Sequence, residues 1–262
     1  FEVDITHMNY HRYLLDDFAL KGRMQTDHYI YLDTMALKTA GGELRLNGYF
    51  NGSNPESIYF SPNIQAENID LDKLLFKFDN FGQDQLVSDN LHGRLSGTVT
   101  GAIHMHPDLI PVIDDSKLIM DIEVLNGSLV DFSAFSAMSS FFTDKNLSLV
   151  RFDTLKNSLT LENGALMIPS MNINTTLGYF EVSGKQGLDL QMEYDVRIPL
   201  KVITKAGAQK LFGRKNRDNS EQIDEIQYRD ENKRTRFVNI NIKGTPEDYD
   251  ITLGKGKKNK PK

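Results

Sequence analysis

A chain of 262 residues, 39% apolar and 25% charged, has the composition of an ordinary folded protein, long enough for one large domain or two smaller ones. A formal charge of -6 supplies no basic face for a polyanion and argues against nucleic acid as the main partner. The absence of cysteine excludes disulfides and thiolate metal sites, and no apolar run is long enough to cross a bilayer.

The chain opens on Phe1 without a signal peptide and is read as a fragment of a longer protein. In its first section Phe18, Leu20, Gly22 and Met24 alternate with Ala19, Lys21, Arg23 and Gln25, and the extended pattern continues through Tyr29 to Asp33 and Met35 to Lys38. A turn at Gly41 and Gly42 feeds Glu43 to Asn51, so a hairpin is predicted there. After a second turn at Asn51 to Pro55, Ile58, Phe60, Ile64, Ala66 and Ile69 alternate again. A short helix is predicted over Ile69 to Phe78, capped by Asp70, with Leu74, Leu75 and Phe78 as its apolar stripe.

The middle repeats this grammar. His92 to Met105 puts Leu95, Gly97, Val99, Gly101, Ile103 and Met105 on one side, and glycines on an apolar face predict curvature or the close approach of a neighbour. Beyond a connection at Pro107 to Pro111, Lys117 to Leu125 is a strand that Asn126 and Gly127 turn into a hairpin, with Ser128 to Val130 returning. A helix capped by Asp131 then carries Phe132, Phe135, Met138, Phe141 and Phe142 at spacings of three and four, an aromatic side suited to plug one end of a sheet.

The third section is almost continuous strand: Val150 to Phe152, Ser158 to Glu162, Ala165 to Pro169, Met171 to Thr175 and Tyr179 to Gly184. Turns fall at Asn163 and Gly164, at Leu177 and Gly178, and at Gly184 to Gly187. From Gly187 to Leu200 the alternation is unbroken, with Leu188, Leu190, Met192, Tyr194, Val196, Ile198 and Leu200 on one face, so an unusually long strand is expected. A helix is predicted over Lys205 to Phe212, then a charged loop, then strands at Arg236 to Lys243 and Tyr249 to Leu253, and a lysine-rich tail. Short turns between neighbouring strands imply an antiparallel meander.

The order of these pieces carries a resemblance: Leu91 to Gly101; Ile119 to Leu129 with Asn126-Gly127-Ser128-Leu129; the helix from Asp131; Leu155 to Ala165; Gly178 to Gly184; and the amphipathic strand into Arg197-Ile198-Pro199-Leu200. Over Leu91 to Gly213 the chain resembles the C-terminal region of AsmA-family proteins, which are similar to TamB and to bridge-like lipid transfer proteins. The resemblance implies a mainly β fold: a long antiparallel sheet curled into a trough or taco, with two or three short helices plugging or flanking it. It further implies a non-enzymatic module that carries phospholipid or another acyl lipid toward the outer membrane, located in the periplasm and anchored to the inner membrane upstream of this fragment. On that reading Leu188, Leu190, Met192, Tyr194, Val196 and Ile198, with Phe135 and Met138, line the groove. The expected division is 1–90 for N-terminal strands, 91–213 for the AsmA-like core, 214–234 for a loop, 235–254 for a final strand pair and 255–262 for the tail.

From pattern alone, most apolar strand faces are ordinary core, so a closed β-sandwich, or a face covered by the Phe132 helix, competes with the trough, and a structural or protein-binding envelope scaffold with a closed core that adds strands to a partner competes with lipid transfer. Other chemistry finds little support. His104 and His106 share a strand face near Asp108 without a further ligand at suitable spacing, so no metal or other cofactor is expected. Asp121, Glu123, Asp189, Glu193 and Asp195 fall opposite apolar positions and read as solvated faces rather than a glycosidase pair. No nucleophile elbow and no phosphate-binding glycine loop is present.

Overall fold

The computed structural model describes residues 1–10, 13–26, 28–77, 89–108, 110–131, 147–200, 225–230, 232–245 and 248–254. In chain order the strands are β1 (Glu2–Tyr10), β2 (Tyr13–Met24), β3 (Tyr29–Thr39), β4 (Gly42–Asn51), β5 (Ile58–Asp70), β6 (Leu91–Met105), β7 (Pro111–Val130), β8 (Leu149–Glu162), β9 (Ala165–Thr175), β10 (Gly178–Gly187), β11 (Met192–Pro199), β12 (Phe237–Gly244) and β13 (Tyr249–Leu253). One helix, α1 (Leu71–Lys77), follows β5. All 13 strands form a single open antiparallel sheet in strict sequence order, each strand bonded to its neighbours in the chain. The sandwich reading is thereby overturned, because there is no second sheet among the described residues.

The turns follow the residues that tolerate positive φ. Ala40 and Gly41 (φ 48° and 74°) join β3 to β4, and Asn163 and Gly164 (φ 52° and 65°) join β8 to β9. Two consecutive left-handed residues match the right-handed twist of the flanking strands, which is why such pairs close two-residue hairpins. Asn126 behaves otherwise. It has φ 51°, yet Leu125 pairs with Thr154 and Gly127 with Phe152, so β7 runs straight through the predicted hairpin as one strand of 20 residues. The left-handed residue there switches the alternation: Ser116 and Val124 are buried before it and Gly127 after it. Likewise the two pieces expected over Val150 to Glu162 are one strand of 14 residues.

The long strand expected from Gly187 to Leu200 is also corrected. It is eight residues, Met192–Pro199, because residues 188–191 form the β10–β11 turn. There Gly187 N donates to Gln191 O at 2.7 Å, Leu190 N to Gly187 O, and Gln191 N to Asp189 Oδ1, with Leu190 at φ 67°. An Asx turn of this kind competes with extended chain locally, and alternation alone does not register it. The count of two or three helices is not borne out: the described residues carry one, of seven residues. The expected helices at 131–142 and 205–212 fall outside the described residues, apart from Asp131.

Burial is concentrated at one end of the sheet. The end of β3, the end of β5, α1, the latter part of β7, the start of β8, the β9–β10 turn, the end of β11 and the start of β12 supply Leu37, Ile69, Leu71, Leu75, Val124, Val150, Phe152, Leu177, Ile198, Val238 and Ile240, all buried, while Ile58, Leu161 and Ala165 are buried toward the opposite end. Two clusters stand out among the buried side chains. Val150, Leu177, Phe180, Ile198, Val238 and Ile240 make one, and Leu71, Val124 and Phe152, joined by Leu74, Leu91 and Leu155, make the other. Glycine permits close approach where the core is tightest: a Cβ on Gly127 would fall inside the ring of Phe152.

Candidate functional site

Because every strand pairs with its sequence neighbours, the register tells which side chains share a face. Through β1 to β8 the direct partners Val3, Leu20, Met35, Leu46, Ile64, Val99, Met120 and Leu159 form one uninterrupted apolar row perpendicular to the strands. All eight are half-buried. Seven strand spacings at ~4.8 Å give the row a length of roughly 34 Å. A second row crosses the other end of the sheet through Met171, Val182, Val196, Ile240 and Leu253. Gly97 and Gly101 lie on the same face as the first row, and a Cβ there would strike the carbonyl oxygens of Asp121 and Lys117, so the close approach expected of these glycines is present.

Of the residues expected to line the groove, Met192, Tyr194, Val196 and Ile198 share this apolar face on β11. Ile198 is only 1% exposed and belongs to the larger core cluster, whereas Met192, Tyr194 and Val196 are half-buried. Tyr194 lies over Gly184 of β10, and its hydroxyl donates to Gln186 Oε1 at 2.7 Å. Burial raises its pKa above the ordinary phenol value. Leu188 and Leu190 lie in the β10–β11 turn rather than on β11 and are 48% and 50% exposed. Phe135 and Met138 lie outside the described residues.

The opposite face is polar and laced by cross-strand pairs. On β10 to β12, Arg197 bonds to Glu181, Lys243 pairs with Glu193, and Asn241 donates to Asp195, so the carboxylates of this strand have structural partners. Arg229, from the segment before β12, donates to the Tyr179 hydroxyl at 2.6 Å and stands over the ring of Phe237. On β3 to β6 the same face carries Tyr31, Tyr29, Tyr49, Tyr59 and His104 in successive ring contacts with centroids 5.8 to 6.2 Å apart. His104 is therefore a ring neighbour of Tyr59, and His106 lies past the end of β6. Among the described residues no group of three or more His, Asp or Glu is placed to hold a metal ion.

The described arrangement thus offers a continuous hydrocarbon surface on one side and paired charges with aromatic rings on the other. The first row escaped sequence reading because alternation assigns residues to a face within each strand, while a row across strands needs the register. The signal available was the succession of short turns, which already implied that neighbours in sequence are neighbours in space. Searches against protein-family models, curated proteins and solved structures gave no match to this chain.

Proposed function

We propose that this chain is a non-enzymatic lipid-binding and lipid-transfer module of the bacterial envelope, similar in kind to the C-terminal region of AsmA proteins. The observation that carries the reading is the row from Val3 to Leu159, eight half-buried apolar side chains side by side across eight strands. The sheet curls into a trough with this face inward, and phospholipid acyl chains lie along the row, across the strands. Strand length is then the width of the trough and strand number its length. A bilayer hydrocarbon core of about 30 Å holds two leaflets, so a row of roughly 34 Å is about twice the reach of one acyl chain. Each methylene removed from water by such a wall contributes about 0.8 kcal/mol, and no catalytic group is needed. In this reading the full-length protein lies in the periplasm, is anchored to the inner membrane upstream, and contributes to outer membrane assembly.

Native mass spectrometry of the purified chain tests this, using a pair of adjacent substitutions on opposite faces. Met120→Asp places a charge in the row, whereas Ile119→Asp acts at a polar-face side chain that is 42% exposed. Expected is phospholipid bound to the wild type and to Ile119→Asp and lost from Met120→Asp, with circular dichroism spectra unchanged. A clean apo mass for the wild type that takes up no lipid from phospholipid vesicles would refute it. That result would favour the envelope-scaffold reading, for which the observation is the outer edges of β1 and β13, unpaired among the described residues and open to strand addition.

A further inference from the structure

The polar face of β4 to β6 carries a feature that the lipid reading does not use. Asn47, Asn63 and Thr100 are direct cross-strand partners and exposed, and their side chains have no hydrogen-bond partner among the described residues. With Tyr49, Ser61 and Asp33, and with Leu32, Gly48, Pro62 and Gly101 at the intervening positions, they line an open depression of about 660 Å³. That volume lies within the range of small-molecule sites. Beside Tyr49 the ring of Tyr29 stacks at a centroid distance of 5.8 Å and that of Tyr31 lies tilted at 6.2 Å, with Arg23 over Tyr31 at 4.3 Å. Two residues along the same three strands, Arg45, Gln65 and Thr98 line a second depression of about 300 Å³. At ~3.3 Å per residue the two floors are roughly 7 Å apart along the strand direction.

We infer that these adjoining depressions, Tyr49 over Asn47, Asn63 and Thr100 and then Gln65 and Thr98, are two subsites for a short linear neutral saccharide. A sugar presents hydroxyls that both donate and accept, which amide and hydroxyl side chains match in both roles, and an apolar C–H face suited to a phenol ring. The local charges select against an anionic ligand: Arg23 is held by Asp33 at 3.1 Å and Arg45 by Glu43 at 2.9 and 3.1 Å, so no cation here lacks a carboxylate. A single-stranded nucleic acid would use the rings but needs a basic track for its phosphates. The saccharide runs along the strands on one face while hydrocarbon occupies the other, so the two readings fail independently.

The test is isothermal titration calorimetry of the intact chain with chitotetraose, cellotetraose and maltotetraose, with oligothymidylate as the competing ligand. Expected is saturable binding of at least one tetrasaccharide, weakened about tenfold by Asn63→Ala and by Tyr49→Ala and unaltered by Tyr228→Ala, an exposed tyrosine elsewhere on the chain. The Asn63 side chain is exposed and unbonded, so its truncation leaves the fold intact, as a melting curve will show; Tyr49→Phe separates ring stacking from the hydroxyl. No heat with any saccharide at millimolar concentration, binding indifferent to Asn63→Ala, or binding of oligothymidylate alone would each overturn the assignment.

Discussion

Truncating Ile240 and Ile119 to alanine compares the same chemical change at the two extremes of this sheet. Ile240 is 1% exposed within the cluster of Val150, Leu177, Phe180, Ile198 and Val238, whereas Ile119 is 42% exposed on the polar face of β7. Each loses three carbons. At about 0.8 kcal/mol per buried carbon the transfer contribution for Ile240 is roughly 2.4 kcal/mol. Neighbours held by their own strands cannot collapse into the space, so a residual cavity raises the cost to about 3 to 4 kcal/mol. For Ile119, half in water and with no cavity to leave, the expected cost is about 0.5 to 1 kcal/mol. Ile64→Ala, in the half-buried row, should fall between them. Urea unfolding followed by tyrosine emission reads all three directly, since the chain has 10 tyrosines and no tryptophan. Equal costs at Ile240 and Ile119 would refute the division of the molecule into a packed end and an accessible remainder.

Three further outcomes are expected. Gly127→Val should destabilise by about 2 kcal/mol, because its Cβ would meet the Phe152 ring, and Phe152→Leu in the same chain should recover part of the loss in urea unfolding. Asn126→Gly should be neutral or stabilising and Asn126→Val should cost about 1 to 2 kcal/mol by thermal melting, since φ 51° is hostile to a β-branched side chain. The pKa of Tyr194 is raised by burial, so its neutral form is favoured by folding; that stability is complete below the unfolded phenol value near 10 and is lost as pH rises through the higher folded value. Tyr194→Phe should therefore flatten the alkaline limb of stability, and phenolate absorbance should show one fewer late-titrating group; an unchanged limb would count against it.

Much of the sheet was legible in the sequence because most strands announce themselves by a period of two and several hairpins by a residue that accepts positive φ, although β1 at Glu2–Tyr10 was not read. The pieces expected at His92 to Met105, Arg236 to Lys243 and Tyr249 to Leu253 match β6, β12 and β13 to within a residue. What misled was chemistry with two local outcomes. Asn126-Gly127 is a favoured hairpin pair, but the continuous pairing of β7 with β6 and β8 on either side absorbs it as an irregularity inside a strand. Leu188 and Leu190 keep the alternation, yet the Asp189 carboxylate ties down Gln191 N and the chain reverses. Tyr49, Asn47 and Asn63 gave no signal as a group, because on their own strands they are ordinary outward polar or aromatic positions and only the register aligns them.

The unbroken succession from β1 to β13 has a consequence for how such a molecule changes over evolutionary time. Since no strand depends on a partner remote in sequence, gaining or losing one hairpin alters the reach of the sheet by roughly 10 Å and leaves the other pairings as they were. A lineage can therefore tune span without redesigning anything else, much as a chain is shortened by removing links.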